Sequence, residues 1–207
     1  MRERLASIMG LNGYEVVVET FHGFSNTLIT ESEQAATLKG EKIQIMDLER
    51  VYLEEYLLDH TDGLEAIRHP NAPYYYRRTL AENISLLKRE GITPKKFFDF
   101  LATLNSEDCP DKNRLSKLQA SAIFYEAYEQ SKSPEAKIPF LDDRGRYDLD
   151  DMIMLATGIL KQEPELLATT REQFQFVMVD EFQDTNGAQM ELLLTIFPEA
   201  DSNVCVV

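Results

Sequence analysis

At 207 residues, with 43% hydrophobic and 28% charged side chains, the chain has room for one large or two small domains and the composition of an ordinary globular protein. No apolar run approaches a membrane span, the N-terminus lacks a signal peptide's apolar core, and Cys109 and Cys205 have no metal-ligand spacing, so the expectation is a reduced, cytoplasmic protein. The net charge of −15 argues against general nucleic-acid affinity, since phosphate binding rests on Lys and Arg.

The charge is unevenly spread. Residues 141–207 hold 14 acidic and 4 basic side chains. Residues 68–96 instead carry Arg68, Arg77, Arg78, Lys88, Arg89, Lys95 and Lys96 against Glu82 and Glu90, a basic island in an acidic chain.

In chain order, Leu5, Ile8 and Met9 fall at helical spacing and Gly10 closes that short helix. Asn12-Gly13 marks a turn, Glu15–Val18 reads as a short apolar strand, and Phe21–Ile29 as a helix. From about 31 to 140 the strand signal disappears. Four amphipathic stretches follow: one on Leu48, Val51, Tyr52, Glu55 and Leu58; then Tyr76–Glu90 ending at Gly91, Pro94–Leu104 and Leu115–Gln130. Beyond 140 the alternation returns, with a helix over Leu149–Lys161, a strand over Phe174–Val179, a helix over Gln189–Phe197 and a further strand from Val204. The expected fold class is therefore α/β but mainly helical, with an all-helical block between two stretches of sheet rhythm. A chain that stops inside an apolar strand reads as a cut piece.

The segment Phe176–Thr185 carries the most chemistry. An apolar strand runs into Asp180-Glu181 and a polar turn, which is the layout of a Walker B segment. Such a strand delivers one carboxylate to Mg²⁺ and a second to the water that attacks a nucleotide. The bland alternative is a solvated acidic pair at a strand end. No G-x-x-x-x-G-K-[ST] phosphate loop occurs anywhere in the chain.

Two other features admit competing readings. The basic island interleaves aromatics and cations in Pro73-Tyr-Tyr-Tyr-Arg-Arg78; it is either a duplex-DNA surface with Arg77, Arg78, Lys88 and Arg89 on phosphates, or a solvated helix face. The acids Asp142, Asp143, Asp148, Asp150 and Asp151 lack the spacing of a calcium loop, and Asp148 fits an N-cap better.

Val179-Asp-Glu-Phe-Gln-Asp-Thr-Asn186, with Gln189 three residues on, closely resembles motif II of the UvrD/Rep/PcrA-type superfamily 1 DNA helicases. Thr20-Phe-His-Gly-Phe24 is similar to their T-F-H-S-F motif, with Gly23 for Ser. Tyr147–Met152 is similar to their D-F-D-D-L helix start, with Leu149 for Phe. Ile84–Phe97 resembles the lysine-bearing helix and loop of the accessory domain, and Met1–Leu5 the end of the helix after motif Ia.

The resemblance implies a partial RecA-like P-loop NTPase sheet, domain 1A, in residues 1–30 and 141–207, with the helical insertion 1B over 31–140. Walker A would precede Met1, and the second motor domain would follow Val207. It implies ATP and Mg²⁺ as cofactors of the intact enzyme, with Asp180 on the metal, Glu181 activating the hydrolytic water and Gln183 sensing the nucleotide. Thr20, Phe21, His22 and Phe24 would lie beside single-stranded DNA, although Phe21 and Phe24 fit the core of their own helix equally well. Without a phosphate loop the 207 residues alone would be inactive. Two other classes stay open: a non-catalytic acidic interaction module with basic protein partners, and, more weakly, a metal-dependent nuclease built on Asp180, Glu181 and Asp184.

Overall fold

The computed structural model describes residues 2–32, 42–104, 111–198 and 203–207. In chain order these form α1 (Arg2–Met9), α2 (Phe21–Glu31), β1 (Lys42–Gln44), α3 (Asp47–His60), α4 (Arg77–Arg89), α5 (Pro94–Thr103), α6 (Lys112–Ser131), β2 (Gly145–Tyr147), α7 (Leu149–Gln162), α8 (Pro164–Gln173), β3 (Val177–Val179), α9 (Gly187–Ile196) and β4 (Val204–Val206). The strands form two separate parallel pairs, β1 with β2 and β3 with β4. The chain is thus mainly helical with small parallel sheets. No helix among the described residues is long and apolar enough to cross a membrane.

Helix starts follow local chemistry. Thr20, Thr93, Asp111, Asp148 and Asn186 each accept a hydrogen bond from an otherwise orphaned N–H in the first turn of the helix they precede. A cap contributes about 1 kcal/mol, whereas each fully buried Leu or Phe contributes about 1.5–3 kcal/mol. Caps therefore set where these helices begin, and packing decides that they form.

Two apolar clusters do that packing. The first joins Leu53, Leu57 and Leu58 of α3 to Leu80 and Ile84 of α4 and to Phe124, Tyr125 and Tyr128 of α6. The second joins Leu28 of α2 to Ile153, Ala156 and Leu160 of α7 and to Ala188, Leu192 and Ile196 of α9. Helix α4 belongs to the first cluster and also packs against α7 and α9 of the second.

Several elements differ from those the sequence predicts. Glu15–Val18 is not a strand: Glu15 has helical dihedrals, closing the 3₁₀ turn Gly10–Tyr14, and Val16 and Val17 are exposed with no ladder partner among the described residues. The face assigned to α3 is partly turned: Leu58 is buried as expected, but Leu53 and Leu57 share the interior with it while Leu48 and Tyr52 face solvent. The helical block is bordered by a strand of its own, β1, which reaches across to β2. Helix α8 has no counterpart in the sequence reading. Strand β3 is shorter than expected: it pairs only over Val177–Val179, and Phe174 is the C-cap of α8, its ring edge-to-face with Phe24 at 5.4 Å. It is also not a buried strand: only Val179 is buried, and Phe176 and Met178 are 78% and 72% exposed. Of the cysteines, Cys205 is a free, exposed thiol and Cys109 lies outside the described residues.

Candidate functional site

Strand β3 ends at buried Val179, and the next two residues are the adjacent carboxylates Asp180 and Glu181, both exposed. The end of the chain clamps this turn from both sides. Val207 N–H donates to Val179 O at 3.0 Å, and Phe182 N–H donates to Val207 O at 2.9 Å. Between these two bonds Glu181 takes left-handed dihedrals (φ 52°, ψ 44°), which cost a residue with a Cβ about 1–2 kcal/mol. Asp180 Oδ1 offsets part of that cost by accepting the Glu181 N–H at 3.0 Å.

The following residues stiffen the turn. Gln183 Nε2 donates to Glu181 Oε2, and Asp184 N–H donates to Glu181 O at 2.9 Å within a 3₁₀ turn over Phe182–Asp184. Asn186 and Gln189 then exchange side-chain and backbone hydrogen bonds, 3.0 and 3.2 Å, as a capping box at the start of α9. Two exposed carboxylates are thus held at the carboxyl end of a parallel strand, where open α/β sheets bind ligands.

The Thr20–Phe24 group sits at the start of α2. Thr20 Oγ1 caps the helix by accepting the Gly23 N–H at 3.1 Å. Phe21 and Phe24 are half-buried against the second apolar cluster, and His22 is half-buried too. Phe24 also lines a small cleft of about 110 Å³ with Glu19, Thr27 and Phe174.

The basic island divides. Arg77, Arg78 and Arg89 line an open groove of about 470 Å³ between α3 and α4, joined by Arg50, which the sequence reading overlooked. Each has a carboxylate partner within the chain: Arg50 and Arg77 share Glu54 at 3.0 and 2.9 Å, Arg77 also reaches Glu55 at 3.8 Å, Arg78 meets Glu82 at 2.8 Å, and Arg89 meets Asp150 at 3.3 Å. Glu54 is buried, and burial pushes its carboxyl up despite the two guanidiniums.

Lys88 does not belong with them, which corrects its assignment to phosphate. It is 1% exposed, and its ammonium lies 2.6 Å from Asp148, 2.7 Å from Asp151 and 2.8 Å from Glu129. Lys132 adds a second ammonium, 2.6 Å from Asp151 and 2.7 Å from Glu129. Tyr128 completes the cluster: its hydroxyl donates to Asp148 at 3.2 Å, with Lys88 and Lys132 over its ring. Carboxylate oxygens of Glu129, Asp148 and Asp151 converge within 4.8 Å, spacing that would suit a metal, but the two ammoniums supply the positive charge there.

Burial opposes charge on both partners, and the ion pairs override it. Lys88 is held well above the ordinary lysine range by Glu129, Asp151 and Asp148. Asp148 is held well below the ordinary carboxylate range by Lys132 and Lys88. Asp148 is also the N-cap of α7, as its sequence position predicts. Its ion pairs, which tie α7 to α4 and α6, were not predicted.

The UvrD/REP helicase N-terminal domain family matches residues 1–207, the whole chain. The chain belongs to this family. Among relatives of this UvrD/REP domain, the ATP-dependent DNA helicase PcrA of Bacillus subtilis is 25% identical over 213 residues, covering 100% of this chain and 24% of its own length. The ATP-dependent DNA helicase UvrD1 of Mycobacterium bovis is 31% identical over 195 residues, covering 93% of this chain and 22% of its own length. The UvrD/REP domain described here therefore spans less than a quarter of each of these relatives.

Proposed function

We propose that this chain is part of an ATP-dependent DNA helicase that couples ATP hydrolysis to translocation along single-stranded DNA and to duplex unwinding. The observation that carries the reading is the Asp180-Glu181 pair at the end of β3, within a chain of the UvrD/REP family. The names of its relatives, ATP-dependent DNA helicases, agree with it.

In this reading residues 1–30 and 141–207 belong to a RecA-like domain and 31–140 to a helical insertion. The two apolar clusters follow that division. Parallel strands are normally covered on both faces, so the exposed Met178 of β3, with Phe176 just before it, suits a sheet completed by other parts of a longer protein. Such a motor would work in the cytoplasm.

Exposed carboxylate oxygens are the hard donors that Mg²⁺ takes, and the residues at the turn fit that ion. Asp180 would hold it, directly or through water. When bound, the ion would neutralise charge on the phosphates of ATP. Glu181 would take the proton of the attacking water. Its left-handed backbone and the Gln183 hydrogen bond fix where its carboxylate points. Gln183 would in turn respond to the nucleotide.

Thr20, Phe21, His22 and Phe24 would border single-stranded DNA, with the exposed Thr20 the member best placed to meet phosphate. Arg50, Arg77, Arg78 and Arg89 would meet duplex phosphates across their groove. Reversing Arg78 and Arg89, the two whose side chains lie mostly in solvent, in the full-length protein is expected to weaken duplex binding and reduce its salt slope by about 1 per arginine lost. A salt titration with unchanged slope would remove the groove from the DNA path.

The experiment for the whole reading is strand displacement by the full-length protein on a tailed duplex. Unwinding that requires ATP and Mg²⁺, with both strands intact, is the expected result. Cleaved strands without ATP would favour the nuclease reading instead. The 207-residue chain is expected to show no ATP turnover by itself, because positioning of the phosphates supplies most of the rate.

A further inference from the structure

Helix α4 ends against the helix that follows the Asp180-Glu181 turn. Its last turn closes as a Schellman motif: Gly91 N–H donates to Lys88 O at 2.9 Å and Ile92 N–H donates to Leu87 O at 2.8 Å. Gly91 takes the left-handed conformation (φ 64°) that this cap requires. The corner is held from several sides. Lys88 is fixed by Glu129, Asp148 and Asp151, and Lys96 Nζ donates to Gly91 O at 2.9 Å.

This corner lies along the first turn of α9. A Cβ placed on Gly187, the first residue of α9, would stand 3.0 Å from Glu90 Oε2, 3.1 Å from Glu90 O and 3.2 Å from the Glu90 carbonyl carbon. One helical turn further along α9, Glu191 Oε2 lies 3.4 Å from where a Cβ on Gly91 would stand. Two contacts one turn apart fix both the position and the rotation of α9 against α4. Two of the three atoms over Gly187 are backbone, which yields less than the end of a side chain.

From α9 the constraint reaches Glu181 through a stretch with no slack. Asn186 and Gln189 lock the helix start, Thr185 N–H donates to Phe182 O at 3.0 Å, and Asp184 N–H donates to Glu181 O at 2.9 Å. Helix α9 is anchored in the second apolar cluster by Ala188, Leu192 and Ile196, which leaves the exposed turn as the pliable side.

We propose that Glu90 and Gly187 are positioning residues for ATP hydrolysis: the α4 corner, seated on Gly187, sets where α9 begins and so where the Glu181 carboxylate stands. The inference rests on the reading of Asp180 and Glu181 as the carboxylates of an ATPase.

The test compares glycine-to-alanine variants of the full-length protein by kcat and KM for ATP with Mg²⁺ and DNA. Alanine for glycine in a helix ordinarily stabilises, but in Gly187→Ala the new methyl pushes the seat apart by a few tenths of an ångström. Gly91→Ala strains the same corner from the α4 side, since its φ of 64° disfavours a Cβ. Each is expected to lower kcat about tenfold with KM within about twofold, a misplacement of about 1 Å costing on the order of 10²-fold. Gly63→Ala carries similar strain within the helical block, at φ 80° with Ile123 Cδ1 3.0 Å from the new Cβ, and is expected to lose thermal stability but keep kcat. Gly158→Ala in α7, where a Cβ meets nothing within 4 Å, is expected to keep kcat as well. Unchanged kcat in Gly187→Ala, or an equal loss in Gly63→Ala, would overturn the proposal.

Hydrogen exchange of the Asp184 and Thr185 amides reads the same seat without ATP turnover. It is expected to quicken in Gly187→Ala and Gly91→Ala and not in Gly63→Ala; unchanged exchange in the two corner variants would overturn the proposal. If turnover survives Glu181→Gln, the ATPase reading fails, while quickened exchange still upholds the seat of α4 on the turn.

Discussion

Replacing Lys88 by Met lowers the unfolding free energy by about 3–5 kcal/mol, the range for removing one partner from a buried ion pair. The side chain is 1% exposed and holds three carboxylates at 2.6–2.8 Å, so its loss leaves buried negative charge facing Lys132 alone. Against a total of about 5–15 kcal/mol for an ordinary domain, the loss is a large fraction. Urea unfolding of wild type and variant at neutral pH measures it. A loss under about 1 kcal/mol would mean the cluster is not formed in solution.

The pH dependence follows from the same geometry. Asp148 is more acidic in the folded chain than unfolded, so its contribution is present above the unfolded carboxylate value of about 4 and lost as pH falls towards the folded one. Lys88 is shifted upward, so its contribution is present below the unfolded lysine value of about 10 and lost only in stronger alkali. In the Lys88→Met variant Asp148 has lost one of its two ammoniums, and acid removes less stability. The gap between wild type and variant is therefore widest near neutral pH and narrows below about pH 4. A gap constant with pH would assign the effect to packing rather than charge.

The second large effect is on chemistry. In the full-length protein, Glu181→Gln is expected to lower kcat for ATP hydrolysis by about 10²–10⁴, the usual contribution of a positioned general base. ATP affinity should change little, because Gln keeps the shape of the side chain and the backbone of the turn. Asp180→Asn is expected to act differently, raising the Mg²⁺ concentration needed for turnover as well as lowering the rate. Asp180 Oδ1 also accepts the Glu181 N–H at 3.0 Å, and an Asn oxygen can keep that bond. Full activity in Glu181→Gln would assign the water-activating role elsewhere.

The turn and the helices around it were legible in the sequence for separate reasons. The cap at Asp148 marks a helix start through local hydrogen bonding, which needs no tertiary context. The Asp180-Glu181 pair stands out because a short apolar run leads into two charges. What the sequence hid was which face of each helix turns inward. Helix α3 has apolar residues on two sides, and only contact with α4 and α6 selects Leu53 and Leu57 over Leu48 and Tyr52.

Lys88 is the instructive case. Counted with Arg89, Lys95 and Lys96 it belongs to a basic island. Counted at i+4 from Ile84 and i+8 from Leu80 it lies on the buried stripe of α4. The spacing carried the signal, and charge obscured it. Its carboxylate partners lie about 40 to 60 positions later in the chain, beyond any local pattern. The left-handed backbone of Glu181 was equally hidden, because Glu carries no sequence mark of positive φ.

The measurement that bears most directly on the central claim is ATP hydrolysis by the full-length protein with Mg²⁺, with and without single-stranded DNA. A motor of the proposed kind hydrolyses ATP faster when DNA is present, and loses that stimulated rate in Glu181→Gln. A rate that ignores DNA, or that survives Glu181→Gln, would contradict the assignment of the Asp180-Glu181 turn to a DNA-driven ATPase.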